Sequence, residues 1–316
     1  MENALPEHET YEPGEDADMI FSLAHAANQL FAGRGSGLYR SADGGRTWEF
    51  ALEALGLTEP VPVTSLAVSP VFEREPRIVA GAPGGVFVSG DGGQSWKAVL
   101  FPSPPPTISA LAFSPEFERD ETIFAGTMED GVFVSRSGGE SWTVWNFGLL
   151  DLKILCLAVS PEFAADETIF AGTETGIFRS TNGGRAWREI ELPFGFDAVL
   201  SLAFSPNYQA DRTLYAGSES QGLWATTDEG ESWQPLAEGI IEDPINTLLV
   251  SEGSLLAVTS SALWHSAGSG AAWTNRLPAA YAEREISSIT APHGIQPGAE
   301  LLAGFDDGAV EAVKLK

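Results

Sequence analysis

Residues 110–145 read ALAFSPEFERDETIFAGTMEDGVFVSRSGGESWTVW. Four short apolar runs, ALAFSP, TIFAGT, GVFVS and SWTVW, are separated by EFERDE, MED and RSGGE, segments rich in charge, Ser and Gly. Runs of β-branched and aromatic residues bounded by such breakers are strands joined by tight connections. No helical periodicity runs through them. The stretch is therefore expected to form a four-stranded antiparallel unit.

The same unit recurs along the chain. Its opening segment returns as SLAHAA at Ser22, SLAVSP at Ser65, ALAFSP at Ala110, CLAVSP at Cys156, SLAFSP at Ser201, TLLVSE at Thr247 and SSITAP at Ser287. Successive starts lie 43, 45, 46, 45, 46 and 40 residues apart. A four-stranded repeat of about 45 residues that fills the chain is the signature of a β-propeller blade. Helical and leucine-rich repeats fail on strand content, and a linear β-solenoid on repeat length. The expected fold is all-β: a single seven-bladed propeller over residues 19–316, preceded by an acidic segment at 1–18. The seventh unit stops after three strands. Because an open ring leaves unpaired edges, a part of the N-terminal segment, within Leu5 to Tyr11, is expected to supply the missing outer strand.

Between third and fourth strands lies an octapeptide: SADGGRTW at Ser41, SGDGGQSW at Ser89, SRSGGESW at Ser135, STNGGRAW at Ser180, TTDEGESW at Thr226 and SAGSGAAW at Ser266. Its third-position Asp or Asn is suited to accept turn amides, its fifth-position Gly permits positive φ, and its Trp opens the fourth strand. The motif resembles the Asp-box, or BNR repeat, of sialidases, family 74 xyloglucanases, sortilin-type receptors and photosystem II assembly propellers. The resemblance covers about residues 19–316. It implies that the boxes are structural and lie on the face opposite the usual site. Ser137, Asn182 and Gly268 stand where the family has Asp, and Ala186 and Ala272 where it has Ser or Thr. Those turns are expected to be less fully hydrogen-bonded.

Seventeen Lys and Arg against 44 Asp and Glu give a net charge of −27. Nucleic acid and anionic membrane surfaces are thereby disfavoured as partners. The single Cys156 excludes an intrachain disulfide and multi-cysteine metal clusters. The opening MENALPEHETYEPGEDAD has no cationic or apolar stretch of the kind a secretory signal carries, so a cytoplasmic location is expected.

Loops between blades and between second and third strands surround one mouth of a propeller channel, the default binding site. Those loops place Glu129, Asp130, Glu174, Phe194, Phe196, Asp197, Glu242, Asp243, Tyr281, Arg284, Asp306 and Asp307 there as candidate ligand-binding residues. Acids and rings in one mouth suit a cationic group or a sugar. No catalytic set is assigned. The resemblance to sialidases implies three arginines and a tyrosine nucleophile, whereas only Arg34, Arg284 and Tyr281 are placed to serve. Family 74 enzymes use two facing propellers, and one is present here. No calcium-loop spacing, phosphate loop or nucleophile elbow occurs, so neither metal nor cofactor is expected. A non-catalytic module binding a protein partner through the loop face or acidic rim is the favoured function, and a carbohydrate-binding or glycoside-hydrolase-like propeller is the alternative. For an assembly subunit, an exposed apolar patch around Phe101–Ile108 or Phe147–Leu150 is the expected contact.

Overall fold

The computed structural model describes residues 18–102, 105–268 and 270–315. Seven antiparallel sheets follow one another in chain order, six of four strands and the last of three among the described residues. Blade four runs Ile154–Val159, Ile169–Thr173, Ile177–Ser180 and Arg188–Ile190 from the inside outward. The expected closing strand within Leu5 to Tyr11 lies outside the described residues.

The apolar cores lie between blades. Phe124, Val132 and Val134 of blade three pack with Ile169, Ala171, Phe178 and Trp187 of blade four in one buried cluster. The next cluster joins Phe170 and Ile177 of blade four to Leu214, Ala216 and Trp233 of blade five. Each sheet is thus buried on both faces, which is why second strands such as TIFAGT read as continuous apolar runs. Blade one meets blade seven through Ile20, Leu23 and Ala32 with Val310. Across the same junction the Leu23 amide donates to Ser288 Oγ at 2.9 Å, and His25 Nδ1 lies 2.7 Å from Thr290 Oγ1.

The Ala-Gly step in the second strands has a steric cause. A Cβ at Gly126 would sit 2.5 Å from the Ile154 side chain of the next blade, and one at Gly217 would sit 2.6 Å from Ile245. Only glycine admits that approach of neighbouring sheets.

Inner strands are also tied hydroxyl to carbonyl around the axis. Thr64 Oγ1 donates to Ile108 O at 2.5 Å, Ser109 Oγ to Ile154 O at 2.5 Å, and Ser201 Oγ to Ile245 O at 2.7 Å. Cys156 takes the same role between blades four and five, its Sγ donating to Val199 O at 3.4 Å.

The connections between inner and second strands differ from the plain loops expected. Phe117–Asp120, Phe163–Asp166 and Tyr208–Asp211 are single helical turns. In the first, Asp120 accepts from the Ser114 hydroxyl at 2.7 Å and the Thr122 amide at 2.9 Å, while Phe117 is buried. Asp166 and Asp211 repeat the arrangement with Ser160 and Thr168, and with Ser205 and Thr213. The pattern Ser-Pro-x-Phe/Tyr-x-x-Asp-x-Thr is the sequence signal for this turn. It is too short to show helical periodicity.

Candidate functional site

Backbone hydrogen bonds sort the loops onto two faces. The box turns bond to connections between inner and second strands: the Gly138 amide to Glu121 O at 3.0 Å, and the Gly183 amide to Glu167 O at 2.9 Å. Connections between second and third strands bond instead to the loops between blades, as the Gly131 amide does to Leu152 O at 2.9 Å. Boxes and candidate residues therefore occupy opposite faces.

Within a box the chemistry is self-contained. In the first, Asp43 Oδ1 accepts from the amides of Arg46 and Thr47 at 3.0 and 2.9 Å, and Oδ2 accepts from the Thr47 hydroxyl at 2.7 Å. Ser41 Oγ accepts from the Gly45 amide at 2.9 Å. The Thr47 amide and hydroxyl hold the Asp43 carboxyl down to about 2. In the third box Ser137 accepts the Ser141 amide at 3.1 Å and meets its hydroxyl at 3.0 Å. In the fourth, Asn182 accepts the Ala186 amide at 2.9 Å, with no hydroxyl at Ala186 to add a second bond. These are the thinner turns that the departures from the motif imply.

On the loop face, much of the candidate chemistry is spent on fixing loops. Asp197 accepts from the Ser220 amide and hydroxyl at 3.0 and 2.9 Å, and Asp243 from the Ser261 hydroxyl at 3.1 Å. Asp306 accepts the Glu285 amide at 3.3 Å. Arg284 binds Asp307 at 2.8 Å and Glu311 at 2.6 Å, and its guanidinium carbon lies 3.8 Å from the Phe305 ring centre. Tyr281 stacks on the same ring, with centres 5.3 Å apart; burial raises its phenol. Phe194 packs on Trp224 at 4.8 Å. The Asp130 amide donates to Thr127 Oγ1 at 3.0 Å. Arg34 is largely buried, donating to Gly308 O at 3.1 Å.

The candidates are not gathered into one constellation. Tyr281, Arg284, Asp306 and Asp307 stand together at blade seven. Glu242 lines a hollow of about 420 Å³ over blade five with Trp224 and Glu238. Glu129 and Phe196 meet in a depression of about 510 Å³ across the top of blade four, together with Leu150, Asp151, Leu152, Lys153, Thr175, Phe178 and Glu189. There Phe196 is 80% and Leu150 78% exposed. Phe147 in the same connecting loop is 80% exposed. Lys153 Nζ pairs with Glu174 at 2.7 Å. Of the two apolar stretches, Phe101–Ile108 has both its large apolar ends turned inward: Phe101 packs on Phe133 and Trp142, and Ile108 is fully buried. Of the residues that line this depression, Asp151, Leu152, Lys153, Thr175, Phe178 and Glu189 lie outside both the candidate residues and the stretch Phe147–Leu150. Asp151, Leu152 and Lys153 follow directly on that stretch, whereas Glu189 sits in a fourth strand too short to declare which end reaches the face.

Residues 130–244 match the family model of Sortilin-Vps10, sortilin and neurotensin receptor 3. The match covers about a third of the chain and falls on blades that carry box turns. The chain is a seven-bladed β-propeller with Asp-box turns, similar to that family over those residues.

Solved structures carry the same fold at low identity. This Asp-box propeller superposes on the Niastella koreensis GH74 enzyme with a TM-score of 0.73 and 17% identity, over 93% of this chain and 52% of that one. YCF48 bound to D1 peptide gives 0.69 and 16%, over 96% and 95%. The extracellular domain of BT4673 from B. thetaiotaomicron gives 0.71 and 16%, over 95% and 39%. The chain thus spans about two fifths of the BT4673 domain, half of the GH74 enzyme and nearly all of YCF48. No curated protein matches it.

Elsewhere in the Asp-box propeller, no group of three or more His, Cys, Asp or Glu is gathered for a metal among the described residues. Burial pushes the Cys156 thiol up to about 12, which leaves it unreactive at neutral pH. No helix among the described residues is long and apolar enough to cross a membrane.

Proposed function

We propose that this Asp-box propeller is a non-catalytic binding module that docks a protein partner on its loop face, at the depression over blade four. The observation that carries the reading is the exposure of Leu150 and Phe196 in one depression. Large apolar side chains left in water together mark an interaction surface. Around them the polar side chains Asp151, Lys153, Glu174 and Asp197 serve loop geometry. Hydrogen bonds that hold the surrounding loops in place before a partner arrives lower the ordering cost of binding.

Site-specific photo-crosslinking tests this. A benzophenone amino acid at position 196 is expected to form a discrete protein adduct in the native cell, and the same probe at Gln94 in a box turn is not. The adduct partner, purified, is expected to bind the wild-type chain and to lose at least tenfold in affinity for Phe196→Asp. No adduct at 196, or equal adducts at both positions, overturns the reading. Glycan hydrolysis by the purified chain that disappears in Glu129→Gln overturns it in favour of the carbohydrate alternative, which draws on Phe196 beside Glu129 and Glu189.

A further inference from the structure

We infer that the segment taken by the blade-four depression is an extended peptide with two apolar side chains flanked by lysine or arginine. This deepens the binding reading and rests on it. Three features select that chemistry.

First, the backbone groups at the centre of the depression are already bonded. The Thr175 amide is bound by Asp151 at 3.0 Å, the Gly176 amide by Thr173 Oγ1 at 3.2 Å, and Leu152 O by the Gly131 amide at 2.9 Å. Recognition therefore falls to side chains.

Second, the two most exposed apolar side chains of the depression, Leu150 and Phe196, come from the loops before and after blade four, with Thr175 and Phe178 between them in sequence. Two separate apolar contacts suit an extended chain, which presents every second side chain on one side about 7 Å apart.

Third, the charge is one-sided. Lys153 is neutralised by Glu174, and Asp151 is saturated by the Thr175 amide and hydroxyl and the Lys153 amide. Glu129 and Glu189 are both exposed and have no ion pair among the described residues. These two rim carboxylates, of which Glu129 is also drawn toward Lys153 at longer range, stand in a chain of net charge −27 and attract a basic segment while repelling an acidic one.

The probes are synthetic 11-residue peptides with a central Leu-x-Phe, flanked on both sides by Lys, Gln or Glu and read by fluorescence polarisation against the full chain. Lys-flanked peptide is expected to bind at least tenfold tighter than Gln-flanked, and Glu-flanked not at all. Phe196→Asp is expected to remove binding. The double variant Glu129→Lys/Glu189→Lys is expected to invert the order of flanks. All three positions are exposed, so melting temperatures within about 2 °C of wild type confirm intact folds. An unchanged flank order in the double variant, undiminished binding by Phe196→Asp, or no binding of any peptide overturns the inference. A protein adduct at position 196 without flank preference removes this partner chemistry and leaves the binding reading standing. Failure of the adduct itself removes the reading.

Discussion

Asp151 Oδ2 accepts both the backbone amide and the hydroxyl of Thr175, at 3.0 and 2.8 Å. The first residue lies in the loop entering blade four and the second in the connection between that blade's second and third strands, so one carboxylate fixes two walls of the depression. Burial opposes its charge, yet the Lys153 amide and the Thr175 hydroxyl outweigh that and hold the carboxyl below its ordinary value. Asp151→Ala is expected to cost about 1–2 kcal/mol of stability and to weaken peptide binding without touching the peptide. Asp151→Asn, which keeps one acceptor, is expected to fall between. Chemical denaturation and polarisation titration of the same samples check both.

The thinner boxes invite repair. Ser137→Asp supplies two acceptor oxygens where Ser137 Oγ alone serves the Ser141 amide and hydroxyl, and is expected to add about 0.5–1.5 kcal/mol. Asp91→Ala in a complete box is expected to lose about 1–2 kcal/mol, because it strips the Gln94 and Ser95 amides of their acceptor. Urea midpoints at constant slope measure the two changes, which are expected to leave loop-face binding untouched.

Cys156 stands where Ser201 stands one blade on, and the serine makes the shorter bond, 2.7 against 3.4 Å. Cys156→Ser is expected to be neutral or to stabilise by less than about 1 kcal/mol. With the thiol at about 12, iodoacetamide at pH 8 is expected to leave the native protein unmodified and to label it in denaturant. Mass spectrometry reads both states.

The pH dependence has a definite sign. Asp43 is lowered to about 2 by the Thr47 amide and hydroxyl, Asp228 by the Ser232 hydroxyl, and Asp307 by Arg284. At Asp91 burial opposes the charge, but the Ser95 hydroxyl and amide prevail. Depressed carboxylates stabilise the fold above their unfolded value, near 4, and that stability is lost as pH falls through their folded values. The melting temperature is expected to rise slightly from pH 7 to 5 as self-repulsion relaxes, then to fall between pH 4 and 2. Asp91→Asn/Asp228→Asn is expected to flatten the acid limb. A scan of melting temperature against pH checks the shape.

The blade count was legible because each blade repeats one local grammar of Ser-Pro, Ala-Gly and box, and each piece answers a local steric or hydrogen-bonding need. The site was legible only as a face. Sequence placed Asp197 and Asp243 in the mouth but could not show that Ser220 and Ser261 already occupy their oxygens, since those partners arrive from another loop. It marked Phe147–Leu150 as apolar, yet Leu149 is buried while Leu150 beside it is open to water; that choice is made by loop conformation. Phe101 is turned inward for the same reason, its ring being drawn between Phe133 and Trp142.

The most direct test of the account is calorimetric titration of the Lys-flanked peptide into four proteins: wild type, Leu150→Asp, Phe196→Asp and, on the opposite rim, Asp91→Ala. Loss of at least tenfold in affinity for the two loop-face variants, with Asp91→Ala binding as wild type, is the predicted result. Wild-type affinity in the loop-face pair, or its loss in the box variant alone, contradicts it.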